Sequence, residues 1–309
     1  MRRFKLVPGN GKPYDITKKN FEELTKKEKP YMVTGKDGKK RYFGICPACD
    51  NPVQLLGLYK KLENTDNPYG RHYNRDAAIA VHNEQAYRFC PYASHVYMGT
   101  ERQKKDKLTD FERNIYYAVR NYFDYAIYLL KQITGLNISE KYAGHILREY
   151  LAGEGYLYYG ATYYNIPWML LYFCTAEPVY RKLVREGSPL YEMLKERSDV
   201  LLKPYKDSLY YQVDKAGNWL DLQYSFILHE RKVVNDEVKE EVCFQLFSSD
   251  EKGIPVTEAK AVLDINEYRF PNLIHSEEAA KYRHDGLLEI AEQLMPDLPD
   301  VGTDRNPSD

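Results

Sequence analysis

The sequence predicts an α+β protein with an N-terminal zinc-knuckle-like module, a helical middle and a C-terminal antiparallel β-meander. Three observations carry that expectation. A Cys-Pro-Ala-Cys turn at Cys46–Cys49 is answered by Cys90, apolar residues recur at helical spacing through 111–151, and from Ser208 the pattern switches to the alternation of strands. With 309 residues, about twice a common domain length, the chain divides into four parts. Residues 1–100 form a basic arm plus metal-knuckle module, 101–206 a helical region, 207–296 a sheet with a closing helix, and 297–309 a disordered tail.

Residues 1–40 are polar and Lys-rich, broken by Pro8, Gly9, Gly11 and Pro13, and Gly35, Asp37 and Gly38 mark a tight turn. Arg41–Ile45 reads as a strand feeding Cys46, Val53–Tyr59 is an apolar run, and Asn64–Tyr73 is a loop with turn signals at Asp66, Asn67, Pro68 and Gly70. Asp76–Ala86 is expected as a short helix, with Tyr87–Phe89 leading into Cys90, and residues 100–110 read as a charged linker. Asp110 is a good N-cap, and Phe111, Ile115, Val119, Tyr122, Ala126, Leu129, Leu130 and Ile133 predict one long amphipathic helix over 111–133, ended by Gly135. Asn137 or Ser139 caps the next helix, which carries Tyr142, Ile146, Leu147, Tyr150 and Leu151 on one face and stops at Gly153 and Gly155. Pro167–Phe173, Pro178–Arg185 and Pro189–Arg197 read as short helices, each with proline in its first turn. Leu209–Val213, Trp219–Glu230, Glu240–Phe247 and Ala259–Ile265 alternate as strands, separated by turn residues, and Glu277–Leu294 reads as the closing helix.

Net charge hides an asymmetry. Residues 1–45 hold thirteen Lys/Arg against five Asp/Glu, whereas 207–309 hold ten against twenty-two. A basic front points to a polyanion partner, DNA or RNA, and an acidic sheet to a protein partner or to shielding of the basic arm. Thirty tyrosines suit both core positions and half-wet stacking surfaces. The N-terminus lacks an apolar leader and the longest apolar stretch, Ile166–Phe173, is too short to cross a bilayer, so the expectation is a cytoplasmic chain with no membrane partner.

In a reducing compartment a CxxC pair signals metal or redox chemistry. Two thiolates at i and i+3 of a tight turn point at one ion, and Zn²⁺ takes four ligands in a tetrahedron. Cys90, in a half-sized second knuckle Phe89-Cys90-Pro91-Tyr92, is the third; His95, five residues on, is the expected fourth, with His72 and His82 as rivals. The site residues are therefore Cys46, Cys49, Cys90 and His95, with zinc as a structural cofactor. A redox pair is the competing reading, and it wants a strand-to-helix context; a catalytic ion would need a base, for which Glu84 is the nearby candidate. Cys174 and Cys243 sit in apolar runs and read as small core residues.

Two features point to nucleic acid. Lys39, Lys40 and Arg41 lie in the basic front among Tyr42, Phe43, Tyr69, Tyr73 and Tyr92, a mixture that neutralises phosphates and stacks on bases. Leu129–Tyr159 resembles in outline the turn, recognition helix and wing of a winged-helix domain, with Lys141, His145 and Arg148 on the exposed face; two antiparallel helices packed as an αα-hairpin are the plainer alternative. For an enzyme, Asp221 with Glu237 and Lys239, or with Glu258 and Lys260, can be drawn as a metal-dependent nuclease centre. No phosphate-binding glycine loop and no nucleophile-elbow motif is present. The leading expectation is a non-enzymatic, zinc-stapled binding protein; a hydrolase on the sheet and a protein-interaction scaffold are the alternatives.

Overall fold

The computed structural model describes residues 1–60, 62, 63, 65, 67–93, 102–217, 221–234 and 237–299. It contains both helices and antiparallel sheets, as an α+β reading requires. The first strands, β1 (Arg3–Phe4) and β2 (Tyr14–Asp15), pair with each other, and α1 (Lys18–Thr25) follows, capped by Thr17. A four-stranded antiparallel sheet comes next: β3 (Met32–Thr34), β4 (Lys40–Ile45), β5 (Pro52–Leu56) and β6 (Tyr69–His72), in that order. Residues 76–83 are a loop and the helix expected there starts later, as α2 (Glu84–Arg88), because Asn83 caps it by accepting from Ala86 N.

The single helix expected over 111–133 is two helices, α3 (Asp110–Asn121) and α4 (Phe123–Thr134), broken at Tyr122. Asp124 explains the break. Its buried carboxylate accepts from Tyr125 N at 2.9 Å and from His284 N at 3.1 Å, so it anchors the C-terminal segment as well as the helix start. Gly135 ends α4 in the left-handed region, where a side chain is disfavoured. Ser139 caps α5 (Glu140–Ala152). The hairpin expected as a wing is instead a 3₁₀ turn at Gly155–Leu157, followed by the buried run Tyr158–Tyr164 and α6 (Ile166–Tyr172).

The helix expected over Pro178–Arg185 is replaced by β7 (Glu177–Pro178) and β8 (Leu183–Arg185). Pro178 lies on a sheet edge, where a missing N–H is tolerated, and Arg181 takes a left-handed backbone that breaks any helix. After α7 (Pro189–Leu194), β8, β10 (Tyr210–Lys215) and β9 (Val200–Pro204) form a three-stranded sheet with β10 central. The long strands β11 (Gln223–Val234), β12 (Glu237–Ser249) and β13 (Pro255–Asp264) pair antiparallel, and β7 adds a short strand beside β11. The expected closing helix divides into α8 (Arg269–Ile274), a 3₁₀ helix at Glu277–Tyr282, and α9 (Asp285–Leu294), which His284 caps. Of the expected tail, 297–299 are described and held: Arg120 pairs with Asp297 at 2.5 Å and Arg113 donates to Pro299 O at 2.6 Å.

One contiguous apolar cluster runs from Met1 and Phe4 through Val53, Ile115, Trp168 and Phe244 to Ala291 and Met295. Inside it lie charged residues. Lys105 and Glu112 pair at 3.0 Å with both side chains almost wholly buried. His229 on β11 contacts Glu240 on β12 at 2.6 Å, and Glu240 also accepts from Tyr164 Oη and Asn165 Nδ2, each at 2.6 Å. His229 Nδ1 faces Tyr158 Oη at 2.8 Å. Burial of such groups is tolerated because each has partners.

Candidate metal centre

The Cys46–Cys49 turn connects β4 to β5, which pair with Ile45 opposite Pro52. Cys46 N donates to Asn51 O at 2.8 Å and Asp50 N to Cys46 O at 3.1 Å, closing the turn, with Asp50 in the left-handed region. Antiparallel pairing of β5 with β6 sets His72 opposite Val53, one residue from the turn's far side. Cys90 arrives on the end of α2, its N–H donating to Tyr87 O at 3.0 Å. Three chain segments thus converge through a hairpin, a strand pairing and a helix end.

Cys46, Cys49, His72 and Cys90 are close together and could hold a metal ion, since their four ligand atoms lie within 4.8 Å of one another. Cys46 and Cys90 Sγ are 3.7 Å apart, and His72 Nε2 is 3.3 Å from Cys49 Sγ and 3.5 Å from Cys90 Sγ. A tetrahedron with metal–sulfur bonds of about 2.3 Å and a metal–nitrogen bond of about 2.0 Å has edges of about 3.5–3.8 Å, close to these three distances. All three sulfurs are buried. Burial pushes the Cys49 and Cys90 thiols well above their ordinary range; at Cys46 burial acts the same way, but hydrogen bonds from the neighbouring thiols and His72 outweigh it. Packed thiols of this kind become thiolates together only around a cation.

Sequence spacing placed His95 fourth. His95 lies outside the described residues, and His72 completes the group of four. His82 stands apart, contacting Glu84 at 3.0 Å while the Glu84 side chain stays exposed. The choice among histidines depends on the β5–β6 register, which spacing along the chain does not reveal. Cys46 and Cys49 occupy a turn between antiparallel strands rather than a strand-to-helix junction, and all five cysteines are free thiols. Cys174 and Cys243 are buried away from this group.

Asn51 carries no metal-ligand signal in the sequence, yet it supports the site. Its Nδ2 faces Cys49 Sγ at 3.3 Å and donates to Asn83 O at 3.1 Å, while its Oδ1 accepts from Asn83 N at 2.7 Å. Asn83 in turn caps α2 and reaches Thr109 Oγ1 at 2.9 Å. One amide therefore orients a sulfur and locks the helix that delivers Cys90. Outer-shell partners of this kind change metal affinity about 10–100-fold. Asn51→Ala is expected to weaken binding by that factor in competition titration with a chromophoric chelator, with the four donors intact; an unchanged affinity would remove Asn51 from the site.

The other sequence-derived residues are dispersed. Lys39 and Lys40 are exposed beside the β3–β4 turn, and Arg41 pairs with Asp37 at 3.4 Å. Lys141 and Arg148 are exposed on α5, with His145 half-buried between them facing Glu177 at 3.0 Å. Asp221 accepts from Ser249 N at one end of the β11–β12 pair, while Glu237 and Lys239 stand at the other, so these three do not share a site. Glu258 is engaged by Arg197 at 3.0 Å and by Ser248 at 2.5 Å. Among the described residues no helix is long and apolar enough to cross a membrane. No protein-family model, curated protein or solved structure matches the chain.

Proposed function

We propose that the chain is a non-enzymatic binding protein stapled by zinc and contacting nucleic acid through its basic N-terminal half. The observation that carries the zinc reading is the set of four protein donors, three sulfurs and one imidazole, all within 4.8 Å of one another and with three of their separations at 3.3–3.7 Å. Thiolate-rich tetrahedral sites select zinc among the abundant divalent ions, and four protein ligands leave no position for a reacting water. The ion would neutralise the buried thiolates and clamp the β4–β5 turn to β6 and to the end of α2. Its role is architectural, and binding belongs to the surface around it.

That surface supports the nucleic-acid reading. Lys18, Lys19, Lys26, Lys27 and Lys29 in and after α1, and Lys36, Lys39 and Lys40 around the β3–β4 turn, are all exposed. Tyr59, 40% exposed, packs on Tyr42 at 4.7 Å with Lys18 over its ring at 5.4 Å. Cations for phosphates beside an aromatic platform for bases suit single-stranded DNA or RNA. On this reading a Lys39→Gln, Lys40→Gln, Arg41→Gln triple variant binds single-stranded oligonucleotides more weakly, and its salt slope falls by about 2, since each lost phosphate contact removes about 0.7. Fluorescence anisotropy across a salt series measures both; absence of binding at low salt in the wild type would sink the reading. A second reading, a protein partner for the acidic sheet, is favoured by β13, an edge strand with Val256 and Val262 exposed.

A further inference from the structure

We infer that α5 and the β7–β8 segment form a seat for a phosphate monoester dianion. Lys141, His145 and Arg148 lie at i, i+4 and i+7 of α5 and so share one face. That face meets Glu177 of β7 and Lys182, which follows it, and the two sides border an open cleft lined also by Ser139 and Tyr142. The chemistry of the cleft is lopsided. Three permanent cations face one carboxylate, leaving two positive charges, with an imidazole beside them. The carboxylate is already engaged: Glu177 accepts from Lys182 Nζ at 2.9 Å.

The remaining groups are open to a ligand. Neither Lys141 nor Arg148 has an ion-pair partner among the described residues. His145 Nε2 is shut off from solvent and lies 3.0 Å from a Glu177 oxygen without hydrogen-bond alignment, so the imidazole backs the cleft and Lys141, Arg148 and Lys182 supply its donors. Lys182 Nζ is steered into the cleft by the Tyr142 ring at 4.0 Å, and Tyr142 is itself fixed by its hydroxyl contact with Tyr224 at 2.7 Å. An ammonium has three donors, so Lys182 can hold Glu177 and still reach an anion. The guanidinium of Arg148 supplies paired donors matched to two phosphoryl oxygens. α5 is thirteen residues long and its N-cap Ser139 lines the cleft, so the positive end of its dipole lies at the same mouth.

A chain phosphodiester carries one negative charge, whereas a terminal monoester carries nearly two near neutral pH. Two uncompensated positive charges match the monoester. It could come from a small phosphorylated metabolite or from the 5′ end of a nucleic acid, and only the second source rests on the binding function proposed above. The test uses the full chain at low salt with three probes: phenyl phosphate, and one single-stranded oligonucleotide made with a 5′ phosphate and with a 5′ hydroxyl. Phenyl phosphate is expected to bind saturably by calorimetry. Arg148→Gln and Lys141→Gln, both on the exposed face, are each expected to weaken it about tenfold, the order of one lost charge-assisted hydrogen bond, with unchanged thermal melting. Tighter binding of the 5′-phosphorylated strand, lost in the same variants, identifies the nucleic-acid end as the source. Phenyl phosphate binding with no strand preference, or with no strand binding at all, supports the seat with a small-molecule source, even where the nucleic-acid reading fails. No saturable phenyl phosphate binding by the folded wild type, or undiminished binding by both folded variants, overturns the seat.

Discussion

Cys90→Ser, or removal of the ion by a strong chelator, is expected to unfold residues 40–93 and to lower the melting temperature of the whole chain. The expectation follows from where the sulfurs are. Cys46, Cys49 and Cys90 are at most 2% exposed, and Cys46 touches Cys90 at 3.7 Å across a sequence gap whose described residues form short strands, turns and one five-residue helix. Val53, Leu55, Leu58, Ala86 and Tyr87 in that gap are buried, but the four donors are the direct link between the turn, β6 and the end of α2, so losing one is expected to loosen all three. Structural zinc in small modules contributes an apparent 10–16 kcal/mol or so at neutral pH, comparable with the roughly 5–15 kcal/mol net stability of a domain. The module's Cys46, Val53 and Cys90 belong to the same apolar cluster as Ile115 and Trp168, so damage is expected to spread beyond residue 93. Hydrogen exchange reads the result directly. Protection of the Ile45, Val53 and His72 amides should vanish first on chelation, and unchanged protection with unchanged melting would show that the ion is dispensable.

The second large effect is expected at Glu240. Glu240→Ala would strip a buried carboxylate from His229, Tyr164 and Asn165 and leave the Arg231 cation without its compensating charge. Breaking one side of a buried charged network costs about 3–5 kcal/mol, enough to lower the midpoint of chemical denaturation markedly. The pH dependence has a definite sign. Burial would raise the Glu240 carboxyl, but hydrogen bonding and attraction from His229, with Arg231 and Tyr164, hold it below its ordinary value of 4.5. A carboxyl depressed in the folded state adds stability that is fully present above the unfolded value and is lost as pH falls through the folded one. Wild-type stability is therefore expected to decline below pH 4.5 more steeply than that of Glu240→Gln, which has no such proton to take up. Parallel acid profiles for the two proteins would contradict this.

The contrast between these two sites shows what a linear sequence can reveal. Cys46 and Cys49 are legible because a CxxC turn is a local device: four residues suffice to aim two sulfurs at one point. The same locality makes α5 legible, with Ser139 at its start and glycines at its end. His72 depends on β5 lying against β6 in one register, a non-local pairing, so spacing from Cys90 favoured His95 instead. The α3–α4 break was hidden because its cause, Asp124, works through His284, 160 residues away.

The Glu240 network was half legible. Glu240 is in phase with Val242, Phe244 and Leu246, so the alternation of β12 already aims it inward. On β11, Tyr224 and Phe226 are buried, and strict alternation would next bury Leu228 and Glu230. An extra residue between Ile227 and Glu230, with Leu228 in the left-handed region, shifts the phase by one and turns His229 and Arg231 inward. A bulge that reverses the facing of a strand leaves no period for sequence reading to find. The basic cleft on α5 was legible for its helical face and invisible for Lys182, which a strand-forming segment brings from outside the helix.

Metal analysis of the purified full chain, combined with X-ray absorption at the metal edge for the wild type and for His72→Ala, shows directly whether these four donors hold zinc. One zinc per chain is expected, bound by three sulfurs at about 2.3 Å and one nitrogen at about 2.0 Å, with loss of that nitrogen and weaker zinc retention in His72→Ala. A metal-free folded chain, a site rich in oxygen with an open position, or an unchanged three-sulfur, one-nitrogen spectrum in His72→Ala would contradict it.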